Sequence, residues 1–325
     1  MRALLLEEKG KWTDMTVQEI EKPKPQAGQL LVRVKAAGLN PVDYKTGTNG
    51  YPGWEYPHVL GLDVAGVVEE IGEGVTEFKE QDHVVFLNDM SKKGGFAEYA
   101  IAEAHTATKL PYNVLFTDAA ALPVAAYTAY QALFDKIRVR AGESILIHAG
   151  AGGVGGFAIQ LAKQAGLYVF TTAQEHNHEH VLELGADVAI DYKKESFVDR
   201  IMEETNGVGV DAILDTVSRD NANESVKALA FNGHLAFIAG QPKMDDSIEF
   251  GHPKSFHHVA LGSVYQSTNL REQKRLQEIG NDLVKRISNG MLNTIVTEKI
   301  VLSDVPRALE KLQSRSVRGK IVVEL

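Results

Sequence analysis

Glycines spaced for phosphate binding stand at residues 148–156, which read HAGAGGVGG. Gly150, Gly152 and Gly155 have the spacing G-x-G-x-x-G between a predicted strand and a predicted helix. The first glycine permits a tight turn, the second lets the backbone approach a pyrophosphate, and the third lets the helix pack closely on the sheet. The helix N-terminus adds free N–H groups and partial positive charge. The pattern therefore predicts a dinucleotide site formed by Gly150, Gly152, Gly153, Val154 and Gly155.

The end of the next predicted strand indicates which nucleotide binds. An NAD site usually has Asp or Glu at that position, about 20 residues beyond the motif, to hold the ribose 2′-hydroxyl. Here the strand ends with Thr171, Thr172 and Ala173; Glu175 follows closely, and no Arg or Lys lies nearby in sequence. Small hydroxyl side chains leave room for a 2′-phosphate and can donate to it. We therefore expect NADPH, with Thr172 and Tyr192 among its contacts.

Strands and helices alternate around the glycine turn. Strands are predicted at 144–148, 167–172, 187–190, 210–214, 234–239 and 259–264, and helices at 154–165, 177–184 and 197–204. Such alternation indicates a parallel sheet with helices on both faces. We expect a Rossmann-type, doubly wound α/β domain, with His257 and His258 in the loop before its last strand.

The rest of the chain has a different pattern. Short strands separated by glycine-rich turns, typical of a β-rich domain, are predicted at 30–36, 64–71, 83–87 and 96–101. The apolar stretch 119–134 is predicted to be a buried helix, because it is shorter than the ~20 residues of a membrane span. An amphipathic helix at 271–289 precedes a final strand at 320–325, which we expect to return to the first domain.

Composition excludes several classes of function. The 325 residues carry a formal net charge of -9, which argues against nucleic-acid and membrane partners. The chain has no cysteine, so disulfides and thiolate metal sites are excluded. The N-terminal residues lack the pattern of a signal peptide. Together these features predict a cytoplasmic protein that acts on small molecules.

Motifs spread over nearly the whole chain carry a family resemblance. Besides the glycine turn they are 38–43 (GLNPVD), 61–68 (GLDVAGVV), 95–99 (GFAEY), 120–123 (AALP), 127–130 (YTAY), 184–187 (LGAD) and 210–215 (VDAILD). With them the chain resembles the medium-chain dehydrogenase/reductase superfamily, in its zinc-free quinone oxidoreductase (zeta-crystallin-like) branch. The resemblance implies a GroES-like catalytic domain at 1–121 and 266–325, a Rossmann domain at 122–265, an active site in the cleft between them, and commonly a homodimer.

One departure from the zinc alcohol dehydrogenases of that superfamily concerns the metal ligands. Those enzymes have a Cys where this chain has Asn40, a His where it has Leu62, and a Cys near Val124. Only the acidic Asp63 remains, whereas a catalytic zinc needs about three protein ligands. We therefore expect no metal site.

Hydride transfer to a conjugated acceptor needs no metal, so a quinone or an α,β-unsaturated carbonyl is the expected substrate. Such a reaction needs hydrogen-bond donors near the acceptor oxygen. Asn40 and then Tyr51 are the expected donors, with Tyr44 and Lys45 on the same predicted loop. Two alternatives stay open: an NADPH-binding sensor or structural protein without turnover, and a metal-dependent alcohol dehydrogenase, which the ligand positions disfavour.

Overall fold

A computed structural model describes residues 1–244 and 251–325 of the chain. The described chain divides into two compact units. The first unit contains residues 1–127 and 262–325, and the second contains residues 128–261. The strands are β1 (Arg2–Leu6), β2 (Thr16–Glu19), β3 (Gln29–Gly38), β4 (His58–Val59), β5 (Asp63–Ile71), β6 (His83–Leu87), β7 (Tyr99–Glu103), β8 (Thr108–Lys109), β9 (Ser144–Ile147), β10 (Tyr168–Thr172), β11 (Val188–Ile190), β12 (Val210–Asp215), β13 (Leu229–Phe237), β14 (Ser255–His258), β15 (Val296–Ile300) and β16 (Lys320–Glu324).

Helices connect many of these strands. They are α1 (Pro41–Asn49), α2 (Phe116–Ala119), α3 (Pro123–Tyr130), α4 (Gly153–Gln164), α5 (His178–Glu183), α6 (Phe197–Glu204), α7 (Arg219–Ser225), α8 (Leu270–Ser288) and α9 (Val305–Gln313). A π-helix, Gln131–Ile137, directly continues α3. In the described part of the chain, no helix is both long enough and apolar enough to cross a membrane.

The first unit is β-rich. Its larger sheet has the order β15-β16-β3-β5-β6-β8, with β7 also paired to β3, and a smaller sheet has the order β2-β1-β4. Alternate residues of β3, such as Leu30 and Val32, pack on Val64 and Phe86 in a common core. The C-terminal strand β16 pairs antiparallel with β3, as its position in the sequence predicts. Both ends of the chain therefore build this unit.

The second unit contains the Rossmann-type sheet. Within the described residues its strands are all parallel, in the order β11-β10-β9-β12-β13-β14. The central strands are almost continuously apolar, and Leu146, Ile213 and Leu235 are fully buried. Such runs are typical of parallel strands that helices cover on both faces. The fold class predicted from strand–helix alternation is confirmed.

Three local predictions are wrong. The last strand of the sheet is Ser255–His258, and the predicted strand at 259–264 is largely a 3₁₀ helix, Leu261–Gln266. His257 and His258 thus lie in a strand, because residues 255–258 pair with β13, whereas Gly262 interrupts the later apolar run. Residues 119–134 do not form one helix, because Pro123 starts a separate one.

The third wrong prediction concerns the segment after Asn40. Tyr44 and Lys45 lie in α1 and not in a loop. Asn40 and Asp43 form a capping box, and Pro41 occupies the first turn. Both features favour a helix start, because they satisfy the free N–H groups and preset the backbone angle.

Candidate functional site

The glycine turn joins the carboxyl end of β9 to α4. A Cβ on Gly150 would lie 2.0 Å from the Oγ1 atom of Thr171, and one on Gly155 would lie 2.3 Å from the carbonyl oxygen of Ala149. These two positions therefore require glycine for packing. A Cβ on Gly152 would lie 3.3 Å from the carbonyl oxygen of Ala149, which is a tight contact. Among the described residues no other atom would lie within 4 Å of it, so the rest of that side of the turn is open.

This open side coincides with the N-terminus of α4. Gly152 is the N-cap residue, and no side chain caps the helix there. The N–H groups of Gly153, Val154 and Gly155 belong to the first helical turn, where backbone donors have no intrahelical acceptor. Free N–H groups beside a position without a side chain fit the pyrophosphate of a dinucleotide.

A buried hydrogen-bond chain lies beneath the turn. The N–H of Ala149, a residue with a left-handed φ of 55°, donates to the Oγ1 atom of Thr172 at 3.1 Å. The same oxygen lies 3.1 Å from Nδ1 of His148, and Nε2 of His148 lies 3.0 Å from the Oγ atom of Ser225. The Ser225 hydroxyl donates to the carbonyl oxygen of Asn221 at 2.8 Å.

The protonation state of His148 determines which group donates in each of these hydrogen bonds. Burial lowers the pKa of His148 to about 4, so the imidazole is neutral at pH 7. Because Thr172 Oγ1 accepts from Ala149, its own hydrogen can be donated to Nδ1, and the ring hydrogen on Nε2 is donated to Ser225. Thr172, predicted to contact a 2′-phosphate, is only 3 % exposed, and its hydroxyl holds the turn instead.

Basic side chains gather near the tip of β10, although none is close to it in sequence. The Nε2 group of Gln174 donates to the hydroxyl of Tyr192 at 3.1 Å. The ammonium of Lys193 lies 5.4 Å from the centre of the Tyr192 ring, and that of Lys194 pairs with Glu175 at 2.7 Å. Sequence reasoning missed both lysines. They directly follow β11, and the carboxyl ends of neighbouring parallel strands share one edge of the sheet.

A buried polar cluster surrounds Asn40 in the first unit. Its side-chain Nδ2 donates to the Oδ2 atom of Asp63 at 2.8 Å. Lys320 donates to Asn40 Oδ1 at 2.7 Å and to Asp63 Oδ2 at 2.9 Å, while the N–H of Val124 donates to Asp63 Oδ1 at 2.7 Å. Asn40, Asp63 and Lys320 are 2 %, 0 % and 3 % exposed. The Asn40 amide, predicted to face an acceptor oxygen, is thus hydrogen-bonded through both its nitrogen and its oxygen. Lys320 was not identified from the sequence.

The same cluster does not fit a zinc ion. Both oxygens of Asp63 already accept hydrogen bonds, and the ammonium of Lys320 balances the carboxylate charge. Asn40 and Leu62 offer neither thiolate nor imidazole. Across residues 1–244 and 251–325, no group of three His, Cys, Asp or Glu side chains could hold a metal ion.

Asp43 is a second buried carboxyl group beside this cluster. It is 1 % exposed, and its Oδ2 atom accepts the N–H of Asn40 at 2.7 Å. Burial, with a smaller contribution from the charge of Asp63, raises the pKa of Asp43 to about 8, against the opposing effects of the N–H groups of Asn40 and Gly61 and the charge of Lys320. The carboxyl group therefore titrates in the neutral range.

Tyr51, the second predicted donor, follows α1 and is half-buried. Its hydroxyl oxygen accepts from Nε2 of Gln266 at 2.9 Å, and in the described chain its own hydrogen has no acceptor. The ring lies 6.1 Å from that of Trp54, which stacks on His58 at 3.9 Å. Tyr51 therefore combines a flat aromatic surface with a hydroxyl that can donate.

Comparisons with known proteins match both units. Residues 26–112 match the alcohol dehydrogenase GroES-like domain, and residues 153–281 match a family described as zinc-binding dehydrogenase. The quinone oxidoreductase of Lama guanicoe is 32 % identical over 332 residues, which cover 100 % of this chain and 98 % of that protein.

Solved structures agree with these matches. The quinone oxidoreductase from Coxiella burnetii has 31 % identity and a TM-score of 0.84, with coverage of 100 % of this chain and 99 % of that chain. A mycobacterial protein complexed with NADPH has 29 % identity and a TM-score of 0.89, with 100 % of each chain covered. The likeness therefore extends from the elements that hold the glycine turn to those that hold Asn40 and Tyr51.

Proposed function

Because the chain belongs to the medium-chain dehydrogenase/reductase superfamily, in its quinone oxidoreductase branch, we propose that it transfers hydride from NADPH to a quinone or an α,β-unsaturated carbonyl. The family makes the chain an oxidoreductase. The observation that carries the nucleotide part of the proposal is the open position at Gly152 beside the N-terminus of α4.

Residues of the second unit fit the two phosphate-bearing parts of NADPH, whose nicotinamide supplies the hydride when bound. Gly153, Val154 and Gly155 offer backbone N–H groups to the pyrophosphate. Tyr192 and Lys193 offer a hydroxyl and a cation to the 2′-phosphate. The NADPH complex of the mycobacterial neighbour supports this choice of nucleotide.

Residues of the first unit suit the acceptor. Reduction adds a hydride to one carbon and places negative charge on the acceptor oxygen, which then takes a proton. The Asn40 amide is hydrogen-bonded at both ends, so we assign the donor role to the Tyr51 hydroxyl. Asn40 then positions the backbone between β3 and α1. Trp54, beside Tyr51, offers a flat surface to a planar acceptor.

Steady-state oxidation of NADPH with a panel of quinones and enones tests the reaction. We expect turnover with at least one of them, and a decrease of about 10²-fold in turnover number for Tyr51→Phe, because a donor to the developing charge is lost. Tyr112→Phe is the matched control, because Tyr112 is 83 % exposed. Tight NADPH binding without any turnover would favour the sensor or structural alternative instead.

The preference for NADPH has its own test. Replacing both lysines (Lys193→Gln with Lys194→Gln) should lower kcat/KM for NADPH by about tenfold or more and leave NADH unaffected, because charged hydrogen bonds to the 2′-phosphate are lost. Lys227→Gln is the control, because Lys227 pairs with Glu224 at 2.8 Å on the surface of the same unit. Equal use of NADPH and NADH by the unchanged protein would contradict the preference.

We further propose that the protein is a cytoplasmic homodimer with neither nucleic acid nor membrane as partner. The net charge of -9 and the absence of cysteine support this environment. Among the described residues β14 forms an edge of its sheet, and an edge strand can pair with another chain. Sedimentation equilibrium that gives one chain per particle at micromolar concentration would exclude the dimer.

A further inference from the structure

A cavity lined mostly by charged residues and histidines belongs to the unit of residues 128–261. It has a volume of 480 Å³ and is lined by residues that precede β9 and by side chains of β13 and β14. Arg140 and Glu143 come just before β9, whereas the glycine turn follows that strand. The cavity and the turn therefore lie toward opposite ends of β9, so this cavity is separate from the proposed cofactor site.

Cationic side chains outnumber carboxylates around this cavity. Lys136, Arg138 and Arg140 line it together with Asp135 and Glu143. Within the part of the chain that the structure describes, none of the three cations forms an ion pair, and Glu143 already accepts the backbone N–H of Arg140 at 2.8 Å. The lining is thus positive although the chain as a whole carries a net charge of -9.

Two histidines complete the lining. The Nδ1 atom of His234 lies 3.0 Å from the Nε2 atom of His257, and the rings stack at 5.3 Å with an interplanar angle of 20°. When both rings are neutral, one hydrogen lies between these two nitrogens, and the pair can take up a further proton. Burial lowers the pKa of His257, and the charges of His234, Lys136 and Arg138 lower it further. An anion bound in the cavity would raise the pKa of His257 again, because its negative charge would offset these positive charges.

The backbone next to the cavity is unusual. A π-helix, Gln131–Ile137, ends at Arg138, whose φ of 62° is left-handed although it is not glycine. π-helical turns are rare and occur frequently at functional sites, and a left-handed arginine costs conformational energy. This strained connection places three of the cavity's charged residues, Lys136, Arg138 and Arg140, within five positions of the chain.

We propose that this cavity binds a small dianionic oxyanion, such as the phosphate group of a metabolite, independently of the cofactor. The arginines and Lys136 supply the cations, and the imidazole pair supplies a further positive charge on proton uptake. Asp135 of the π-helix and Glu143 of the segment before β9 are the carboxylates that line the same cavity, and they moderate its charge. The anion should therefore bind more tightly as the pH falls.

Sulfate is the probe, because it remains dianionic between pH 6 and pH 8. At pH 6, with saturating NADPH and constant ionic strength, 20 mM sulfate should raise the Tm by about 2–4 °C relative to chloride. The dissociation constant from titration calorimetry should be about fivefold lower at pH 6 than at pH 8. His257→Asn should remove most of this pH dependence.

Charge-matched variants separate a site from a general salt effect. Arg138→Gln with Arg140→Gln should abolish the sulfate response, whereas Arg271→Gln with Lys274→Gln, which neutralises two exposed cations of α8, should retain it. Equal responses of the two double variants would overturn the proposal. Competition between sulfate and NADPH would also overturn it, since the anion would then occupy the cofactor site. Enzyme turnover is not needed for either result, so failure here leaves the proposed reaction untouched.

Discussion

Thr172 lies beneath the glycine turn and holds it through a hydrogen bond to its backbone. Its hydroxyl oxygen accepts the N–H of Ala149, which has a left-handed φ, and its hydrogen is donated to Nδ1 of neutral His148. Thr172 therefore connects the glycine turn to the series of hydrogen bonds that continues through His148 to Ser225. We therefore expect the loss of this hydroxyl to affect the conformation of the turn and, through it, the binding of any dinucleotide. This differs from direct contact with a 2′-phosphate, which would affect NADPH alone.

We predict that Thr172→Val weakens NADPH and NADH binding alike, by about tenfold, because a buried N–H and a buried imidazole nitrogen lose their partner. Fluorescence titration with both nucleotides measures the effect. Thr205→Val is a matched control, because the Thr205 hydroxyl also accepts a backbone N–H, from Gly209, and donates to a carbonyl oxygen. Weaker binding of NADPH with unchanged NADH binding would assign the hydroxyl to the 2′-phosphate.

Asp43 makes a prediction about pH. Its pKa is raised to about 8 in the folded chain, against about 3.9 when unfolded, so the folded state binds the proton more strongly. The stability from this group is complete below about pH 4 and is lost as the pH rises to about 8. Its contribution falls by at most about 1.4 kcal/mol per pH unit.

Asp43→Asn should therefore flatten the dependence of the unfolding free energy on pH between 5 and 8, while the amide oxygen still accepts the N–H of Asn40. Urea denaturation at pH 5, 7 and 8 measures this, with the exposed Asp304→Asn as control. An unchanged pH profile in Asp43→Asn would mean that Asp43 is ionised in the folded chain throughout this range.

At the scale of elements, the β9–turn–α4 unit separates glycines required for packing from Gly152, the one beside which we propose the pyrophosphate binds. Gly150 and Gly155 have no room for a Cβ, whereas Gly152 has ordinary extended backbone angles and an open side. The motif spacing predicts the unit, and the structure distinguishes the roles of its glycines.

Gly152→Val should therefore fold with a Tm close to that of the parent chain and lose nucleotide binding by more than about 100-fold, because the branched side chain fills the space for the pyrophosphate. Calorimetric titration with NADPH and a melting curve provide the two readouts. Gly251→Val is the control, because Gly251 has no left-handed backbone and no atom of the described residues lies within 4 Å of its Cβ position. Normal NADPH binding by Gly152→Val would remove this turn from the cofactor site.

At the scale of the whole molecule, the two ends of the chain meet in one unit. The ammonium of Lys320, in the C-terminal strand, contacts Asn40, which is 280 residues earlier, and Asp63. This internal cation balances the carboxylate that remains at the position of a metal ligand in zinc-dependent relatives. The chain has no cysteine to rebuild such a ligand set.

We therefore predict that the protein holds no stoichiometric zinc when it is purified without a chelator, and that added zinc does not raise turnover. Elemental analysis of the purified protein is the measurement. One tightly bound zinc per chain would contradict both the misfit of zinc to the Asn40–Asp63–Lys320 cluster and the proposed metal-independent reaction.

The features that the sequence alone predicts correctly depend on the spacing of neighbouring residues or on composition. The glycine turn, the alternation of strands and helices, the return of the last strand and the exclusion of thiolate metal sites all depend on neighbouring residues or on composition, so they are visible without coordinates. The strand predicted at 259–264 and the loop predicted at Tyr44 and Lys45 are wrong, because residues 255–258 pair with β13 and the Asn40–Asp43 capping box starts a helix at Pro41.

Only the tertiary structure decided which side chains meet. Tyr192 and Lys194 contact Gln174 and Glu175 beyond the tip of β10 because β10 and β11 are parallel neighbours. Thr172 is buried because its strand directs the hydroxyl toward His148 and Ala149. Lys320 reaches Asn40 because β16 pairs with β3. Each of these contacts joins residues that are distant in sequence, and residue spacing along a chain does not specify which distant strands become neighbours.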